Sequence, residues 1–240
     1  MSSLISSVSS SFGLNTTSPK IVRGGLVLNL DVGQQTSYRG SGTVWTDLSG
    51  LGNNGTLVGG VGYNSSNGGS LVFANNYVAL GKPSSLNILG NITINSWVNL
   101  SSLPGGFASI YENGYDGIND QTFFRFNGSL LEVGNYRSTG DQYVSWSFGS
   151  NIVANKWYHI VGQYDGTNWK LYLNGNQVAS NAALGPISST APISIGAAYI
   201  ASGYTRYFNG NIAQVSIYNR ALTATEIQQN FNALRGRFGI

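Results

Sequence analysis

From Gly25 onward, short apolar or alternating runs follow one another at spacings of about 8–12 residues, each closed by Gly, Asn or Asp. This punctuation constrains the fold more than any other feature, because it leaves room for strands and tight turns and little else. Leu26–Leu30 is one such run. In Ile92–Leu100, residues Ile92, Ile94, Ser96, Val98 and Leu100 share one face and Trp97 lies on the other. Phe124-Arg125-Phe126 and Leu130-Leu131 flank Asn127-Gly128-Ser129, a hairpin signal. Trp157–Tyr164 and Trp169–Leu173 are joined across Asp165-Gly166-Thr167-Asn168. Leu171-Tyr172-Leu173 then turns through Asn174-Gly175, a pair suited to a type I′ turn because both central residues need positive φ. Ile212–Tyr218 is a further strand.

One helix is predicted. Thr223-Ala224-Thr225-Glu226 reads as a capping box, Ile227, Phe231 and Leu234 follow at helical spacing, and Gly236 ends about three turns. No linker or composition shift interrupts the chain after Gly25. The expectation is an all-β, two-sheet antiparallel jelly-roll sandwich over residues 25–240, with a short C-terminal helix and with Trp97 and Trp157 largely buried.

Only 9% of the 240 residues are charged, against a usual ~25%. The surface is therefore made polar by Asn, Ser, Thr, Gln and Gly. The absence of Cys excludes disulfides, thiolate zinc sites, Fe–S clusters and Cys nucleophiles. One His excludes a multi-His metal centre within the chain. The 12 basic residues form no run, which argues against nucleic acid as a partner despite a net charge of +3. No apolar stretch of ~18 residues predicts membrane insertion.

Residues 1–24 read as a separate Ser-rich arm. Met1 to Pro19 has neither the positive n-region nor the apolar h-region of a secretory signal. The segment is too polar to build a core, yet Leu4, Ile5, Val8, Phe12 and Leu14 are enough to fill small pockets on a partner. A free disordered tail is the plainer alternative.

Several stretches taken together resemble the laminin-G-like, concanavalin A-like lectin/glucanase family. They are Leu26–Asp31 followed by Trp45–Thr56, Gly69–Phe73 leading to Tyr77-Val78, and Ile94–Val98. They continue with Trp157–Val161 with Tyr164-Asp165-Gly166, Leu171–Gly175, and Phe208–Ile212 through Ile217–Thr223. Each motif is weak alone; the ordered series over about residues 25–234 is specific. With the Arg-Gly-Arg-Phe-Gly-Ile ending, the chain looks most like versions carried by tailed-phage virion proteins. The resemblance implies the jelly roll and leaves the function open among lectins, adhesion modules, hydrolases and structural domains.

Glycoside hydrolysis needs two facing carboxylates. In this fold, the resemblance implies, they alternate on one strand. The chain's glutamates are Glu112, Glu132 and Glu226, and none lies at that spacing from a second acid except Glu112 with Asp116, across a Gly-rich loop. His159, on a strand face with Trp157 and Val161, reads as a packed, hydrogen-bonded core residue rather than a catalytic base. The expectation is no enzyme activity. The cofactor the oxygen ligands allow is a structural calcium, at Asp47 and Asn53 or, as a second place, in the loop of Asp116, Asn119 and Asp120. Relatives pair the first site with an acid where this chain has Ala213, and turn chemistry is the alternative for Asp47 and Asn53. For glycans, the best cluster is Tyr115 with Asp116, Asn119 and Asp120, extended by Tyr136 and Tyr143; loop-edge packing or subunit contact is the alternative. The functional expectation is a structural virion protein, a decoration or fibre subunit. Its arm docks on a capsid or tail protein or on symmetry mates in a homo-oligomer, and it exposes a lectin-like face to cell-surface glycans. Such a protein assembles in the host cytoplasm. The alternative is a free carbohydrate-binding or adhesion module outside the cell.

Overall fold

The computed structural model describes residues 20–201 and 203–240, with side chains of the strand Asp120–Asn127 described from residue 122 onward. Two sheets face one another. The first runs, in spatial order, Asn176–Ala182, Asn168–Leu173, Trp157–Tyr164, Ile92–Leu100 and Gly210–Tyr218. The far edge of Gly210–Tyr218 is shared. Its first residues pair with Ser70–Phe73, which continues to Gly62–Asn64, and its last residues pair with Leu26–Asp31. The second sheet runs Gln142–Ser147, Leu130–Tyr136, Asp120–Asn127, Phe107–Tyr115, Ile193–Ile195, Tyr77–Gly81, Gly55–Val58 and Val44–Trp45. Pairing is antiparallel throughout, except where Ile200 of the hairpin Ala198–Ile200/Gly203–Thr205 meets Tyr115 in parallel.

Alternation explains the layers. Ile94 and Val98 point inward with Ile160, and Phe124, Phe126, Leu131 and Val133 answer them from the second sheet. The opposite face of Ile92–Leu100 carries Trp97, as its alternation requires. The predicted turns form as their chemistry dictates. Asn174 (φ 48°) and Gly175 (φ 84°) both lie in the left-handed region.

The helix Ala224–Phe238 lies over the outer face of the first sheet. Its capping box is present in both directions, and it ends at Gly239 (φ 72°) rather than Gly236, one turn later than predicted. Gly236 stays helical because Phe238 still has a seat, stacked at 4.3 Å on Trp97. Arg237 holds the last turn by an ion pair with Asp31 at 2.6 Å and bonds to the carbonyls of Asn67 and Gly69. Trp97 is fully buried, but Trp157 is only half-buried. It sits at the helix margin, where its Nε1 donates to Asn67 at 3.2 Å. Lys20–Gly24, read from sequence as the end of the arm, pack on this same side of the domain. The Val22 amide donates to Asn230 at 2.8 Å and the Tyr218 hydroxyl donates to the Val22 carbonyl at 3.0 Å. Leu4, Ile5, Val8, Phe12 and Leu14 lie outside the described residues.

His159 is buried between Trp97 and Phe231, as its strand position requires, but its Nδ1 has no hydrogen-bond partner among the described residues. Burial pulls its pKa from 6.5 down to about 3. The folded state therefore binds the proton less readily than the unfolded chain. Stability is fully present above about pH 6.5 and drains away as pH falls from there towards 3. The loss should be on the order of 1 kcal/mol per pH unit. Glu226, held down to about 2 by hydrogen bonds from Arg220, keeps its charge until lower pH, so the window above about pH 4.5 isolates the histidine. Urea melts from pH 7 to 5 should show this slope in the native protein and a flatter line in His159→Phe. Equal slopes would place the pH dependence elsewhere.

Candidate functional site

The helix covers the outer face of the first sheet and leaves the outer face of the second uncovered. On that second face, outward positions of neighbouring strands converge by register. Ser109 stands opposite Arg125 and Arg125 opposite Glu132, while Glu112 stands opposite Phe123 and Phe123 opposite Gly134. Gly134 permits the aromatic contact beside it. A Cβ there would come within 2.3 Å of the Tyr143 Cβ; without one, Phe123 and Tyr143 approach to 6.2 Å between ring centres.

Of these, Phe123 and Arg125 line a cleft of about 280 Å³ together with Phe107, Tyr115, Tyr136, Asp141 and Arg206. Tyr115 and Tyr136 meet edge to face at 5.5 Å. The Arg125 guanidinium lies 3.7 Å from the Phe123 ring and 4.5 Å from that of Phe107, and Arg206 approaches Phe107 to 4.6 Å. Arg125 Nε donates to Glu132 at 3.0 Å, and Asn127 donates to the other Glu132 oxygen at 3.0 Å. Arg206 donates to Glu112 at 3.3 Å, and the Ser109 hydroxyl donates to the second Glu112 oxygen at 2.5 Å. Both carboxylates are buried beneath the guanidiniums. Arg206 closes the cleft from the hairpin side with a left-handed backbone (φ 53°), and its carbonyl accepts from the Ser109 amide at 2.8 Å. The hairpin is fixed by Tyr204, stacked 3.7 Å from Tyr77, and burial with Tyr77 beside it pushes the Tyr204 phenol up to about 12.

Of the glycan cluster read from sequence, the structure brings Tyr115 and Tyr136 into the cleft and sets Tyr143 against its floor. Asp116 is occupied within its loop, accepting from the amides of Ile118, Asn119 and Thr190 at 3.0, 2.9 and 3.0 Å. Burial works against its charge, but these amide bonds outweigh burial and hold the carboxyl below its usual range. Asn119 is half-buried in that loop, and the Asp120 side chain lies outside the described residues. Phe107, Phe123, Arg125 and Arg206 were not singled out from sequence. Hairpin arithmetic had the signal for one pair: a two-residue turn between Asn127 and Leu130 sets Arg125 against Glu132. Arg206 had none, since 94 positions separate it from Glu112.

Asp47 and Asn53 do meet, at a corner beneath Leu26–Asp31. One Asp47 oxygen accepts from the Asn29 and Ser49 amides, both at 2.9 Å; the other accepts from the Ser49 hydroxyl at 2.6 Å and the Asn53 amide at 3.0 Å. Asn53 Oδ1 accepts from Ser85 at 2.9 Å. With each Asp47 oxygen already taking two protein donors, this donor set fits a hydrogen-bonded corner rather than a calcium cage. Among the described residues no group of three His, Cys, Asp or Glu converges on a common point.

The family model for the concanavalin A-like lectin/glucanases superfamily matches residues 67–228. No curated protein matches the sequence. Among solved structures, the chain is similar to the binding domain of Paraclostridial Mosquitocidal Protein 1 (TM-score 0.68, 20% identity, 87% of this chain and 52% of that one). It is also similar to the binding domain of Botulinum neurotoxin DC in complex with SialylT (0.66, 16%, 88% and 52%). A third is domain 4 of AbnA, a GH43 extracellular arabinanase from Geobacillus stearothermophilus, in complex with arabinotriose (0.66, 17%, 85% and 97%). The chain spans about half the length of the toxin binding domains and nearly all of the arabinanase domain. At these identities the likeness is one of fold.

Proposed function

Because the chain belongs to the concanavalin A-like lectin/glucanases superfamily, we propose that it is a non-enzymatic glycan-binding module whose ligand lies in the Phe107–Tyr136 cleft. The observation that carries this reading is the cleft's composition: aromatic walls at Phe107, Tyr115 and Tyr136 beside guanidinium donors, on the sheet face opposite the helix. Sugar rings stack on such walls, and a few placed polar groups fix their hydroxyls. The complex of the arabinanase domain with arabinotriose favours the same ligand class. The assignment as a binder rather than a hydrolase rests on Glu112 and Glu132. Each is tied to an arginine and a second donor, so neither is presented to a scissile bond as acid or nucleophile.

In this reading the module is displayed on a virion. The support is the sequence of residues 1–19 and the place where the chain enters the domain: Lys20–Gly24 lie against the helix, on the side away from the cleft. An anchor there leaves the cleft facing outward. A glycan array tests the proposal. The native protein should retain neutral or conjugated oligosaccharides, and Phe107→Ala should weaken that binding by about tenfold or more with the fold unchanged. Deleting residues 1–19 should leave the binding intact and abolish association with particles. Binding that survives Phe107→Ala, or no retention of any glycan, would defeat the reading.

A further inference from the structure

The charges in the cleft form a short alternating series. Glu132 is paired with Arg125, Arg206 with Glu112, and the Phe107 ring lies near both guanidiniums. These four charges cancel. Asp141 adds a third carboxylate at the rim; it is exposed and has no ion pair among the described residues. Arg137, four positions before it, is directed elsewhere, to Asn135 at 3.1 Å and the Gly185 carbonyl at 2.6 Å. The neighbouring loop carries Asp116, and no lysine lines the cleft. With Glu112 and Glu132 beneath it, the cleft thus holds three carboxylates against the two guanidiniums that line it, in a chain whose net charge is +3.

From this balance we infer that the cleft takes uncharged, hydroxyl-rich sugars and rejects sugars bearing a carboxylate; the inference rests on the reading of the cleft as a glycan site. A guanidinium N–H only donates and an ionised Asp141 only accepts. A sugar hydroxyl does both, so one neutral ring can satisfy the Arg125 and Arg206 edges and Asp141 together. A ligand carboxylate can only accept. It would face Asp141 with nothing to give, beside guanidiniums whose charge Glu112 and Glu132 already balance, and at low ionic strength that repulsion at the rim is little screened.

The test uses matched pairs titrated into the full chain at low salt: lactose against 3′-sialyllactose, and neutral xylo-oligosaccharides against their glucuronic acid-substituted counterparts. The neutral member of a pair should bind at least about tenfold more tightly. Asp141→Asn should narrow that gap, chiefly by tightening the acidic member. Equal or tighter binding of the acidic member at the Phe107-dependent site would overturn the charge inference and leave the glycan reading standing. An unchanged gap in Asp141→Asn would also overturn it. Binding of neither member, together with an empty glycan array, would overturn both.

Discussion

Trp97→Ala is expected to cost about 3–5 kcal/mol, the usual range for a fully buried aromatic cut back to Ala. The residue has no exposed surface and is the platform on which the helix ends, with Phe238 stacked at 4.3 Å and Phe231 at 5.8 Å. Its loss opens a void between sheet and helix. The released helix terminus would also loosen the Arg237 bonds to Asp31, Asn67 and Gly69. For a domain of this size the melting temperature should fall by roughly 10 °C. Trp157→Ala should cost distinctly less, because that ring is only half-buried. A urea melt in which the two variants lose the same amount would mean that the helix does not depend on the Trp97 seat.

The second large effect separates stability from binding. Arg125→Met removes one partner of a buried ion pair and leaves Glu132 charged, with Asn127 as its remaining side-chain donor. Breaking such a pair costs about 3–5 kcal/mol. Replacing both partners, Arg125→Met with Glu132→Leu, removes the uncompensated charge and should return stability to within about 1 kcal/mol of the native protein. The double variant should nevertheless lose glycan binding, because the donor that faces the cleft is gone. If the single variant is as stable as the native chain, the pair is not an essential part of the cleft floor. If the double variant folds and still binds, Arg125 is not part of the site.

What could be read in advance follows the range of the interactions concerned. Asn174-Gly175 and the Thr223–Glu226 box are decided within four residues, and both formed as read. The Ile92–Leu100 strand is decided by its own alternation, which put Trp97 on the helix side. The helix terminus was misplaced because local preference favoured a stop at Gly236, whereas the tertiary seat for Phe238 extends the helix past it. The cleft was legible only at its tyrosine rim, where Tyr115 and Tyr136 stood out in polar turns. Its floor depends on strand register, and its far wall on a hairpin that brings Arg206 to Glu112. Asp116 shows what spacing leaves out: it is a carboxylate in a polar loop that already accepts from three backbone amides.

The central claim is that the Phe107–Tyr136 cleft holds a sugar. The most direct measurement is a nuclear magnetic resonance titration of isotope-labelled protein with the neutral oligosaccharide it retains best. Shifts should centre on the rings of Phe107, Tyr115 and Tyr136 and on the Arg125 Nε–H, with the helix side unmoved. Shifts centred instead on the amide-lined groove between the Asn174-Gly175 turn and the helix, at Gln177, Gln228 and Asn232, would contradict it.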